Sequence, residues 1–88
     1  MIKYGAAKTR EEKQRDNFQW QIRRLKAEMR TDNNTVVGTG AGLGVGRIYK
    51  LWHEPWRITG CEADRLARLF ERYGLVFDST LGGAARAD

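Results

Sequence analysis

Five glycines occupy every second position of one short segment, from Gly38 to Gly46 in the run VVGTGAGLGVGR. A period of two is the period of a β-strand, so an extended run would place every glycine on one face and the larger side chains on the other. The competing interpretation is a flexible loop, because each glycine that is fixed costs roughly 0.5–1 kcal/mol of backbone entropy. We favour the first interpretation and predict a β-hairpin with glycine-rich strands that turns near Ala41 and Gly42.

The same glycines raise the question of a nucleotide site. The G-x-G-x-x-G fingerprint needs a glycine five residues after its first one, and the four registers of this segment place other residues there. Those residues are Leu43, Val45, Arg47 and Tyr49. A P-loop needs Gly-Lys followed by Ser or Thr, and no glycine of the chain precedes a lysine. The sequence therefore predicts no nucleotide cofactor, and we expect no other cofactor.

The segment before the glycines predicts a long helix. Thr9 and Glu12 have the spacing of a capping box, so we expect the helix to begin near Arg10 and to run to residue 30. Its apolar residues are separated by four, three and four positions, which places them within an arc of about 60°. They are Phe18, Ile22, Leu25 and Met29. This stripe faces the core of the chain or, as the alternative, the same stripe of a second chain in a homodimer.

A second helix is predicted in the other half of the chain. Thr59 and Glu62 repeat the capping-box spacing, and Gly74 is suited to a left-handed C-cap. These two signals indicate a helix from Gly60 to Tyr73.

Short apolar runs around this helix predict strands. We expect them over residues 47–54, 56–58 and 75–77, with a turn at Pro55. The first run is open to a helical interpretation as well, because its three apolar residues also fall on one helix face. They are Ile48, Leu51 and Trp52.

This order of elements predicts a small α+β fold in a single domain. The N-terminal basic helix would precede a β-β-β-α-β body over residues 35–78. We expect residues 1–9 and 79–88 to form tails on either side, the second of them flexible.

Positive charge is concentrated in the first third of the chain. The net charge is +5, and residues 1–30 alone hold nine basic and four acidic side chains. Such asymmetry favours a polyanion or an acidic protein surface as the partner. The one cysteine, Cys61, has no partner for a disulfide within the chain, and no apolar run approaches the roughly 18 residues of a membrane span. We therefore expect a cytoplasmic protein with no membrane partner.

Two groups of side chains are candidates for binding. On the first helix, Trp20 lies opposite the apolar stripe among cations, where a ring framed by arginines can stack on a base or anchor a protein contact. Around Pro55, basic and aromatic residues alternate, and this mixture suits flexible or single-stranded nucleic acid. The candidate binding residues are Lys13, Trp20, Arg23, Arg24, Arg30, Arg47, Lys50 and Arg57.

The sequence thus predicts a small non-enzymatic regulatory or accessory protein that lays its basic helix along the backbone of DNA or RNA. The alternative is a protein-interaction module, for example a small inhibitor that docks on the acidic surface of a larger nucleic-acid-processing enzyme. We expect no catalysis by Cys61 and His53, because no orienting partner is recognisable, and one histidine with one cysteine makes a poor metal site.

Overall fold

Helices and irregular segments replace all of the predicted strands. The computed structural model describes residues 8–82, and within this range it contains four α-helices and a 3₁₀ turn. They are α1 (Arg10–Met29), α2 (Asn34–Gly40), α3 (Arg47–His53), the 3₁₀ turn (Pro55–Arg57) and α4 (Gly60–Arg72). No strand occurs among the described residues, so the predicted α+β fold with its glycine-rich hairpin is wrong, and this part of the chain is all-helical.

The beginning of α1 confirms the predicted capping box. The Thr9 hydroxyl accepts a hydrogen bond from the Glu12 amide at 3.1 Å, and the Thr9 amide donates to the Glu12 carboxylate at 2.9 Å. The helix ends where Arg30 adopts a left-handed conformation, with φ 59°. Two amides at the N-terminus are therefore satisfied by side chains, and the helix has the predicted start.

The apolar stripe of α1 packs into the core of the same chain. Phe18, Ile22 and Leu25 have no solvent exposure, and Met29 packs at the edge of the core. The stripe thus faces the core of its own chain, the first of the two arrangements considered above. The buried core joins all four helices with the segment after α4: Phe18, Ile22, Leu25, Val37, Ala41, Leu43, Ile48, Leu51, Leu66, Leu69, Phe70, Phe77 and Leu81.

The glycine-rich segment folds as a short helix followed by a turn. Asn33 caps α2, since its side-chain oxygen accepts a hydrogen bond from the Thr35 amide at 2.8 Å. Val37 and Ala41 are buried in the core, one helical turn apart. The predicted strand is wrong because the buried residues of this segment follow the spacing of a helix. The alternation of glycines conceals that spacing in the sequence.

Individual glycines of this segment have different roles. At Gly38 a Cβ atom would lie 3.2 Å from Cγ1 of Ile48, so the missing side chain allows α2 to approach α3 closely. Gly42 and Gly46 have φ angles of +76° and +82°, a left-handed region that other residues rarely adopt. Close packing explains the first glycine, and the turn between α2 and α3 explains the other two.

The predicted strands around Pro55 are helical as well. Residues 47–53 form α3, in which Ile48 and Leu51 are buried and Trp52 is half-buried, so the helix-face spacing is the one that the chain adopts. Pro55 begins the 3₁₀ turn and is itself buried. A proline is favoured at the first position of a helical turn, because its missing N–H needs no partner there.

The predicted second helix is confirmed to within one residue. The Thr59 hydroxyl accepts from the Glu62 amide at 3.1 Å, and the Thr59 amide donates to the Glu62 carboxylate at 3.0 Å. The helix ends at Arg72, and Gly74 has the expected left-handed conformation, with φ +75°. The capping box and the C-cap glycine therefore predict the ends of this helix independently of how the neighbouring segments fold.

The segment after α4 packs on the core without forming the predicted strand. The Phe77 ring lies 5.1 Å from the Phe70 ring in a tilted geometry and 6.3 Å from the Phe18 ring in an edge-to-face geometry. Gln21 fixes the chain beside it, because its side-chain amide donates to the Asp78 carbonyl at 3.0 Å and accepts from the Asp78 amide at 2.8 Å. Leu81 is buried as well, although it belongs to the tail predicted over residues 79–88. Of the two predicted tails, residues 1–7 and 83–88 lie outside the described residues.

Candidate nucleic-acid interface

Polar side chains of α1 hold its first half against the end of α3. Arg15 Nε donates to the His53 carbonyl at 3.0 Å, and Gln19 Nε2 donates to the Trp52 carbonyl at 2.9 Å. Both acceptors lie in the last turn of α3, where carbonyls have no partner within the helix. Arg15 also places a positive charge at the negative end of the α3 dipole. The first turns of α1 are thus anchored, although they contain no apolar residue.

All three tryptophans face cations of α1. Trp52 lies under Lys26 and Arg23, whose charged groups are 4.6 Å and 5.4 Å from its ring centroid. The guanidinium of Arg15 is 5.8 Å from the Trp56 ring, and that of Arg24 is 5.4 Å from the Trp20 ring. Each contact has the geometry of a cation–π interaction.

The outward side of α1 brings together the candidates that the sequence placed on this helix. At about 100° per residue, these side chains fall within an arc of about 120° of the helix circumference. Trp20 is 56% exposed in the middle of them. We call this set the α1 surface: Lys13, Trp20, Arg23, Arg24 and Arg30.

The cations of the α1 surface form no ion pair with any carboxylate among residues 8–82. Asp16 lies on the same side of the helix, but its carboxylate is occupied by a close ion pair with Lys8. This contact also holds the pKa of Lys8 above its ordinary value, chiefly through the hydrogen bond to Asp16. The α1 surface therefore keeps its positive charge available to a partner.

A shallow depression of about 650 Å³ lies at the C-terminal end of the α1 surface. Arg23, Lys26 and Arg30 line it with three positive charges, and Asp32 supplies the one acidic group of the lining. Burial lowers the pKa of Lys26 from its ordinary value, and its ammonium donates to the Asn34 side chain at 2.8 Å. Three cations against one carboxylate give the lining a net positive charge, which suits the binding of a phosphate group.

The candidates on α3 and the 3₁₀ turn are in a different electrostatic situation. Arg47 forms two hydrogen bonds to the Glu62 carboxylate, at 2.6 Å and 2.9 Å, and a third to the Arg57 carbonyl at 3.2 Å. The Arg47 guanidinium holds the pKa of Glu62 below its ordinary value. Arg57 in turn pairs with Glu54 at 2.5 Å. Lys50 forms no ion pair within the described range.

We call Arg47, Lys50 and Arg57 the α3 surface, and they line a second depression of about 390 Å³. Two exposed rings contribute to it, Tyr49 and His53, which pack edge to face at 4.8 Å. The structure thus divides the candidate residues between two surfaces on different helices. The cations of the α1 surface have no carboxylate partner among residues 8–82, whereas most of those of the α3 surface are paired.

Sequence reasoning missed two residues that shape the α1 side, Arg15 and Lys26. Both lie with Gln19 on a strip of α1 directly beside the apolar stripe, within about 40° of each other. Long polar side chains at such a boundary often cover apolar groups with their stems, and here they cover Trp56 and Trp52. Their position next to the apolar stripe was the available signal.

Other kinds of site receive no support from the described residues. Between residues 8 and 82, no group of three or more His, Cys, Asp or Glu side chains is arranged to hold a metal ion. Cys61 is exposed in the first turn of α4. None of the helices in this range has the length and apolar character needed to span a membrane.

Comparison with protein-family models, with curated proteins and with solved structures finds no match in sequence or in fold.

Proposed function

We propose that this protein binds nucleic acid through the α1 surface and that it acts by binding and not by catalysis. The observation that carries the proposal is the set of unpaired cations around a half-exposed tryptophan on one side of α1. Lysine and arginine side chains that are free of carboxylates can neutralise phosphates and release counterions, which is the main source of affinity for nucleic acids.

The dimensions of the α1 surface suit an extended polyanion. At 1.5 Å per residue, Lys13 and Arg30 are separated by about 25 Å along the helix axis. A nucleic-acid strand presents a phosphate roughly every 3.4 Å in duplex geometry, so several phosphates would face the surface at once. The depression between Arg23, Lys26 and Arg30 offers one of them three cations.

The cysteine of the chain bears on the cellular location that we propose. A single exposed thiol, Cys61, is compatible with a reducing compartment, where it would remain free. We therefore propose that the protein is cytoplasmic, a location in which DNA and RNA would be accessible to it.

The experiment is a salt titration of binding to random-sequence DNA and RNA. We expect the logarithm of the association constant to fall linearly with the logarithm of salt concentration. Arg23→Gln should reduce the magnitude of this slope by about 0.7–0.9, because one phosphate contact is lost. The matched control is Arg72→Gln, which removes an exposed arginine at the end of α4 and should leave the slope unchanged. A wild-type protein that ignores both nucleic acids at low salt would contradict the proposal.

A second candidate function is docking on the acidic surface of a protein, such as a nucleic-acid-processing enzyme. The specific observation in its favour is the exposed apolar pair of Trp20 and Val76, which line one notch with Arg24. Exposed tryptophans beside arginines are typical of protein-interface hot spots. Failure to bind nucleic acid, combined with binding to an acidic polypeptide, would favour this candidate.

A further inference from the structure

Trp20 lies between cations of the α1 surface. Its indole is 56% exposed, and Lys13 and Arg23 line the same depression beside it. Arg24 reaches over the ring at 5.4 Å from its centroid. A ligand that contacts these cations on both sides of the indole therefore removes the ring from water.

The two forms of nucleic acid differ in what they offer to a covered indole. In a duplex the base faces are stacked on each other, so the outside presents phosphates, sugars and base edges. A single strand has unpaired bases whose faces stack on aromatic side chains. Burying the Trp20 ring against phosphate and sugar gains little, whereas burying it against a base face gains a stacking contact.

We propose that the ligand of the α1 surface is single-stranded nucleic acid, with one unpaired base stacked on Trp20 and the flanking phosphates on Lys13 and Arg23. This inference rests on the proposed function and names the form of nucleic acid that is bound. Val76, which is 88% exposed and lines the neighbouring notch with Trp20 and Arg24, extends the apolar platform beyond the indole.

The test compares the binding of a labelled oligothymidine of about 12 nucleotides with the binding of a duplex of about 12 base pairs. Both ligands have more phosphates per strand than the roughly seven that about 25 Å of helix can face. Fluorescence polarisation at two salt concentrations gives affinity and salt slope. Trp20→Ala should weaken single-strand binding by about 5- to 150-fold, the loss of one stacked base, and should leave the salt slope unchanged.

Two variants control for other causes of a loss. Trp20→Phe keeps a ring for stacking and should retain most of the affinity for the single strand. Tyr49→Ala removes a comparably exposed ring, 61% exposed on α3, and should bind like the wild type. Circular dichroism confirms that each variant is helical before its affinity is compared.

The outcomes separate this inference from the proposed function. A loss with Trp20→Ala that is confined to the single strand supports the stacked base. An equal loss on strand and duplex, or no loss on either, overturns the stacking and leaves nucleic-acid binding standing. Absence of wild-type binding to both ligands at low salt overturns the proposed function and this inference together, and binding to poly-glutamate in that case identifies an acidic protein surface as the ligand.

Discussion

The α1 surface and the α3 surface carry similar residue types but differ in how their charges are used. On α1 the cations of the surface have no carboxylate partner within residues 8–82, whereas Arg47 and Arg57 of the α3 surface are bound to Glu62 and Glu54. Residue types alone do not show this difference, because both regions combine basic residues with an exposed aromatic ring, Trp20 or Tyr49. Pairing with a carboxylate, and not charge alone, therefore distinguishes a cation that stabilises the fold from one that is available to a ligand.

The largest effect on stability is expected from the substitution of Arg47. The side chains of Arg47 and Glu62 are 28% and 19% exposed, and their two charge-assisted hydrogen bonds tie the start of α3 to the start of α4. Arg47→Ala should lower the free energy of unfolding by roughly 2 kcal/mol and leave nucleic-acid affinity unchanged. Urea unfolding measures the first quantity and polarisation the second. Unchanged stability with weakened binding would assign Arg47 to the ligand instead.

The pH dependence of stability tests the same pair with a smaller effect. The hydrogen bonds from Arg47 hold the pKa of Glu62 below its ordinary value when the chain is folded. A carboxylate with a lowered folded-state pKa contributes stability that is fully present above its unfolded pKa, about 4.3, and is lost as the pH falls through the folded value. We expect the urea midpoint of the wild type to decline more steeply below about pH 4.3 than that of Arg47→Ala. Parallel profiles would contradict this role for the pair.

Two glycines in the turn before α3 give the next largest expected effect on stability. Gly46 and Gly44 both have open space where a Cβ would stand, but Gly46 alone has a positive φ, +82°. Gly46→Ala should therefore cost about 1 kcal/mol of stability, and Gly44→Ala should change it by less than about 0.5 kcal/mol. Thermal unfolding of both variants measures the difference. Equal effects would mean that backbone strain at Gly46 does not control the placement of Arg47.

Local signals of the sequence predicted the two long helices well. Thr9 with Glu12, Thr59 with Glu62, and Gly74 each act through neighbouring backbone groups, so their meaning does not depend on the rest of the fold. The segment between these helices depends on tertiary contacts. The close approach of α2 to α3 at Gly38 is decided by Ile48, ten positions along the chain, and no period within the glycine run reveals it.

The sequence predicts which residue types form the candidate site, but not which of the cations pair with carboxylates. The position of Trp20 opposite the apolar stripe follows from helix geometry, and the structure leaves it exposed among cations. The partner of Arg47 lies fifteen residues away on another helix, so only the tertiary structure shows that this arginine is bound to a carboxylate. For Lys26, the sequence shows a position beside the apolar stripe, but its contact with Trp52 joins two helices and is visible only in the structure.

The most direct test of the account is a comparison of two double variants that each remove two positive charges. Arg23→Gln with Arg30→Gln changes the α1 surface, and Lys50→Gln with Arg57→Gln changes the α3 surface. Measured on one oligonucleotide near 0.1 M salt, the first should lose affinity by roughly 25- to 60-fold, as expected for two phosphate contacts, and the second by less than about twofold. Equal losses would show that only the total charge matters and would contradict the claim that the α1 surface is the binding site.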